Sequence, residues 1–244
     1  MLTLIRKEIN GFLNSLIGYL AVIVFLLTIS LITWIFPETE FNIPEAGYAS
    51  IDPLFIITPW VYMFLVPAIT MRLFSEEKKS GTIELLLTRP LTEMQVVLAK
   101  YVSGVMLVLF SLLPTLVFYI SVHLLGAPPG NIDTGSMWGS YAGLLFLGAV
   151  FVSIGVFASA LSDNQVVAFI IGLFLCFICY AGFDASSTLL GSTDAAAIVY
   201  NLGLSAHYAS MSRGVIDTRD VIYFLSVIAF FVMVTRTILE SRKW

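Results

Sequence analysis

Two histidines, two cysteines and a few carboxylates outside the charged stretches are the side chains of this sequence best suited to catalysis or metal binding. Cys176 and Cys179 form a C-x-x-C pair, a spacing used in redox centres and in half of a zinc site. Both lie inside an apolar run, and the two further ligands that zinc requires are not nearby. Small buried side chains on one helix face account for them better. His123 and His207 are far apart in sequence, and a lone histidine near a membrane interface is more often a hydrogen-bonded side chain than a ligand. Asp194, His207, Asp217 and Asp220 fall in one broken polar segment, with no diagnostic spacing. There is no G-x-x-x-x-G-K-[ST] loop and no dinucleotide fingerprint, and no H-E-x-x-H or G-x-S-x-G. The chain does not read as an enzyme, and no cofactor, metal or nucleic acid is expected on it.

The densest chemistry lies in residues 71–101, MRLFSEEKKSGTIELLLTRPLTEMQVVLAKY, between two long apolar segments. This stretch holds five of the twelve basic residues, Arg72, Lys78, Lys79, Arg89 and Lys100, together with the acids Glu76, Glu77, Glu84 and Glu93. Gly81 and Pro90 bracket Thr82 to Arg89, long enough for about two helical turns before the proline stops them. Such a short helix puts Leu85, Leu86 and Leu87 outside the membrane, and an exposed leucine cluster calls for a partner to cover it. A plain topology-setting loop has no use for those leucines or for such specific turn chemistry.

The elements that hold this stretch follow from composition. The chain has 244 residues, 59% hydrophobic and 11% charged, with mean hydropathy +0.96. The apolar residues come in long blocks, the mark of an integral membrane domain. One all-α domain over 1–244 is expected. Residues 2–13 read as an interfacial amphipathic helix, with Leu2, Ile5, Ile9, Phe12 and Leu13 apolar and Arg6, Lys7, Glu8 and Asn10 mostly elsewhere. Six spans are expected at about 16–36, 54–74, 93–125, 138–161, 166–183 and 218–239. Pro59, Pro67 and Pro114 should bend their helices. Thr92 and Gln95 have the spacing of a capping box, as do Ser162 and Gln165, and Asp217 with Asp220 resembles an N-cap with an acidic third residue. Gly139, Gly143, Gly148, Gly155 and Ser159 line the fourth span with small residues suited to close helix packing. Residues 184–219 read as short interfacial or re-entrant helices at the outer mouth. The spans themselves are almost free of charge, which argues against an ion relay.

Six spans place both termini on one side. Ten of the twelve Lys and Arg residues lie in the N-terminus, residues 71–101 and the C-terminus, leaving Arg213 and Arg219 outside. The positive-inside rule puts both termini in the cytoplasm.

At residues 76–90, EEKKSGTIELLLTRP, followed by Ala99-Lys100-Tyr101, the chain resembles the permease subunits of ATP-binding-cassette transporters of the ABC-2 type. In that family the pattern, in outline E-x-x-x-G-T-x-E-x-L-L-x-x-P, lies between the second and third spans and forms a coupling helix, here about 80–90. The resemblance implies a multi-pass protein of the bacterial inner membrane, surrounded by lipid, that works with a separate cytoplasmic ATPase dimer. ATP and Mg would be bound by that partner. It also implies ATPase contact through Glu76, Glu77, Gly81, Thr82, Glu84, Leu85, Leu86, Leu87, Arg89 and Pro90, with the leucines as apolar contact and the charged residues fixing register. Residues 71–91 and 212–224 look most like the gliding-motility-associated branch of the family, the GldF permeases of Bacteroidota. That likeness implies a GldA-like ATPase and either a GldG-like second permease or a second copy of this chain. A membrane scaffold of a motility or secretion complex, docking a partner without moving cargo, is the alternative.

Overall fold

A computed structural model describes residues 1–87, 91–191 and 193–241; the side chains of residues 85–87 lie outside the description. Among the described residues the chain is helical, with no strand, and six helices are long and apolar enough to cross a membrane. The protein is an all-α, six-span membrane protein.

Helix α1 (Leu2–Leu13) precedes the first span, α2 (Leu16–Ile35). The second span, α3 (Asp52–Thr70), is followed by α4 (Arg72–Lys79) and the short α5 (Thr82–Leu87). The third span is α6 (Glu93–Leu125), the fourth α7 (Thr134–Leu161) and the fifth α8 (Gln165–Leu189). Two short helices, α9 (Asp194–Asn201) and α10 (Leu204–Met211), lead to the sixth span, α11 (Thr218–Glu240).

The local signals act where they fall. Thr92 accepts from the Gln95 amide at 3.3 Å, and Gln95 Oε1 accepts from the Thr92 amide at 3.1 Å, starting α6. Pro114 lies in a tight 3-10 turn, Leu113–Thr115, inside α6. Three expectations are corrected. At the start of α8 the cap is Asn164, which accepts from Val166 N at 2.9 Å, while Ser162 accepts from Asn164 N at 3.0 Å; the turn is too short for a capping box. The fifth helix does not end near Phe183 but runs through a π-turn, Ile178–Gly182, to Leu189, because Asp184 carries charge without breaking a helix. The inner face of α1 is Leu4, Ile5, Glu8, Ile9 and Phe12; Leu2 and Leu13 point outward.

Helix α7 is the axis of the bundle. It is largely enclosed, whereas α2, α8 and α11 leave most of their surface outward. The small residues on it set its contacts at both ends. Gly139 faces Gly214 and Gly143 faces Met211, so this G-x-x-x-G packs within the chain. At the other end a Cβ on Gly155 would lie 2.0 Å from Thr70 Oγ1, and so α3 and α7 approach at van der Waals limit there. The proline in mid-α3 has its own compensation. Pro59 has no N–H for the Phe55 carbonyl; the buried Tyr208 hydroxyl of α10 donates to that carbonyl at 2.8 Å.

Candidate functional site

The charged end of the bundle is built around Lys100, about two turns into α6 and fully buried. A buried ammonium is costly unless charges and hydrogen bonds surround it. Three elements provide them. Its Nζ donates to Glu8 Oε1 of α1 at 2.9 Å and to the Leu73 carbonyl of α4. It also lies 2.9 Å from Glu77 Oε2 of α4, an ion pair that lacks hydrogen-bond geometry at that oxygen. The Phe74 ring stands 5.0 Å from the ammonium, close enough for cation–π attraction. Lys7 completes the cluster by donating to Glu77 Oε1 at 2.7 Å. Burial alone would lower the Lys7 pKa; the Glu77 and Glu8 carboxylates outweigh it and hold the ammonium above its ordinary value.

Helix α4 is also fastened to α7. Its first turn has amides with no helical partner. Ser159 of α7 supplies one: its hydroxyl oxygen accepts from Phe74 N at 2.9 Å and Ser75 N at 3.1 Å, and its proton goes to the Met71 carbonyl at 2.9 Å. Lys78 Nζ donates to the Ala160 carbonyl at the same helix end. So α4 is joined to α1, α6 and α7 by polar contacts while continuing the axis of α3 past the break at Met71.

From α4 the chain turns into α5 through Gly81, whose φ of +71° suits a residue without a side chain. Ser80 Oγ donates to the Glu76 carbonyl at 2.8 Å and lies 2.9 Å from Thr82 Oγ1, tightening that turn. Ile83 is buried against the body of the protein, while Thr82 and Glu84 face outward. Leu85, Leu86 and Leu87 lie in α5, and Arg89 and Pro90 lie outside the described residues. Glu76 is about half exposed and pairs with Arg72 at 3.1 Å. Glu77, expected to meet a partner, instead turns inward to the two lysines; the ion cluster, not the surface, takes its charge.

Between α1, α4 and the adjoining ends of α3 and α6 lies a cleft of about 410 Å³, lined at its mouth by Lys7, Arg72, Glu76 and Thr82 and deeper by Phe12 and Leu107. Reasoning from sequence missed Glu8 and Lys100 as a pair. The signal was there: Leu4, Glu8 and Phe12 are spaced four apart, so Glu8 interrupts the apolar stripe of α1.

A family model for the ABC-2 family transporter protein matches residues 2–197. The chain belongs to the ABC-2 transporter family. No curated protein matches it. As an ABC-2 membrane component the chain is the permease subunit of an ABC transporter, and membership implies a cytoplasmic ABC ATPase as its partner. Ser210 Oγ reaches Asp220 and the His207 backbone carbonyl, not the His207 ring, whose two nitrogens face Asp220 and the Asn201 carbonyl. Cys176 is buried and Cys179 half-buried, both as free thiols in α8. Among the described residues no group of three or more His, Cys, Asp or Glu side chains is placed to hold a metal ion.

Proposed function

We propose that this permease converts nucleotide-driven movement of a separate ATPase dimer into movement of its own spans, with α5 as the coupling helix and α4 as the lever. ATP and Mg stay with the ATPase. The leucines of α5 cover against the ATPase, Glu84 and Arg89 set register, and Gly81 and Pro90 bound the docked piece. The cleft beside α4 receives the adjoining ATPase surface, with Lys7, Arg72 and Glu76 at its mouth.

The observation that carries this reading is the Lys100 cluster. A charged lever that only fixed topology would need no buried attachment. Here α4 is joined through Lys100 to both the interfacial helix and the third span, and through Ser159 to the fourth. Force on α5 therefore reaches four elements at once. On this reading the charged end faces the cytoplasm and both termini lie there, in the inner membrane of a bacterium. The likeness of residues 71–91 and 212–224 to the gliding-motility permeases supports a narrower version, in which the complex contains a GldA-like ATPase and a GldG-like second permease.

The test uses the complex extracted in mild detergent and reconstituted. Leu86→Asp is expected to release the ATPase. Glu77→Gln is expected to keep it bound while permease-stimulated ATP hydrolysis falls, with insertion checked by melting of the purified complex. Retention of both the ATPase and its stimulated hydrolysis in Leu86→Asp rejects the reading.

A further inference from the structure

At the end of the bundle away from Lys100, the last carbonyl of α9 and side chains of α11 meet around His207 of α10. Its Nδ1 lies 2.8 Å from Asp220 Oδ1, and its Nε2 lies 3.0 Å from the Asn201 carbonyl oxygen. A backbone carbonyl can only accept a hydrogen bond, and so can an ionised carboxylate. A neutral imidazole has one N–H to give. Two such partners on two ring nitrogens require two N–H groups, which is the imidazolium.

The surroundings suit that cation. Asn201 is the last residue of α9, where unpaired carbonyls and the helix dipole favour positive charge. Asp220 lies in the first turn of α11, where negative charge is favoured. The imidazole stacks on the Tyr223 ring, centroids 3.8 Å apart and planes 20° from parallel, and an aromatic face attracts a cation. The Tyr223 hydroxyl donates to the Leu202 carbonyl at 2.6 Å, capping the same helix end. Ser210 of α10 takes up the second oxygen of Asp220. The titratable neighbours are thus Asp220 and Tyr223 from α11, and behind Tyr223 the Cys179 thiol of α8. Arg213 turns to the Ala209 carbonyl at 3.1 Å, and Asp217 caps α11 through Arg219 N at 2.9 Å.

We propose that His207 is a proton-operated latch that holds the end of α9 to the start of α11. With both nitrogens protonated the latch is closed. Loss of the Nε2 proton sets a lone pair against the Asn201 carbonyl, and loss of the Nδ1 proton sets one against Asp220, so one of the two bonds opens. Helix α9 packs along the last turns of α8, residues 183–189, with Ala196 its one buried residue; what the latch adds is its hold on α11. Both bonds are present when the ring carries two protons, and one is lost when it carries one.

Hydrogen exchange of residues 194–202, measured on the full chain in lipid nanodiscs and corrected for intrinsic rates, tests this. Exchange is expected to be about tenfold faster at pH 8.5 than at pH 5.5, the loss of one charge-assisted hydrogen bond. His207→Gln is expected to exchange at the fast rate at both pH values. A second measurement does not depend on that variant. His123→Gln leaves a single histidine, whose ring nitrogens, labelled with ¹⁵N, should both read as protonated at pH 5.5 and lose one proton by pH 8.5. A neutral ring at pH 5.5 in the folded protein, or exchange that ignores pH, overturns the latch.

Discussion

Lys100 Nζ and Glu77 Oε2 lie 2.9 Å apart, with Lys100 sealed from solvent and Glu77 nearly so. The two residues belong to the helices on either side of α5, so the pair closes a loop whose tip is α5. A salt bridge in that position makes the base of the loop one rigid piece. Lys100→Met leaves the part-buried Glu8 and the buried Glu77 with only the rim ammonium of Lys7 between them. The expected cost is about 3–5 kcal/mol, the range for breaking a buried pair, read as a lowered melting temperature of the purified permease. Lys7→Met, at the exposed rim of the same cluster, is expected to cost less than about 1 kcal/mol. Because Lys7 is held above 10.5, its contribution is complete below that pH and fades only as pH rises past it.

Ser159→Ala removes one hydroxyl that serves three backbone groups. Two buried amides at the start of α4 then lack a partner. A loss of about 1–3 kcal/mol is expected, with faster hydrogen exchange confined to residues 72–76. Unchanged exchange there would mean that α4 does not depend on α7 for its cap.

Tyr208 and Pro59 form a pair that can be tested as a cycle. Tyr208→Phe strands the Phe55 carbonyl in the interior, with an expected cost of about 1–3 kcal/mol. Pro59→Ala restores an amide at the position that normally bonds that carbonyl. In the Pro59→Ala background the tyrosine change is therefore expected to cost clearly less. Equal costs in the two backgrounds would show that the hydroxyl does not compensate for the proline.

Gly155→Ala places a methyl 2.0 Å from Thr70 Oγ1, and within 2.9 Å of Thr70 Cβ. The helices α3 and α7 must separate, with an expected cost of about 1–3 kcal/mol. Thr70→Ala in addition removes the nearer atom but not Cβ, so partial recovery of the melting temperature is expected.

The number of apolar, membrane-length helices was legible in the chain because it depends on local matters. Apolar runs long enough to cross a bilayer, Thr92 with Gln95, and the prolines all act within a few residues of themselves. The turn before α5 was legible for the same reason: Gly81 is a local turn residue, and its positive φ is a local conformation. Where local reading failed, a side chain was serving something distant. Glu77 looked like surface charge because its sequence neighbours are charged, and Asp220 looked like the partner of its own N-cap. The first goes to Lys7 and Lys100, and the second to His207 and Ser210.

From residue order alone came an all-α membrane chain, six crossings, an amphipathic entry helix and a charged hinge with leucines. Folding in three dimensions decided which polar atoms meet. Glu8 and Lys100 are 92 residues apart in the chain, and Ser159 and Met71 are 88 apart. No periodicity connects such positions. Their pairing arises because an apolar interior gives an unpaired charge or amide nowhere to go except to the partner that helix packing brings beside it.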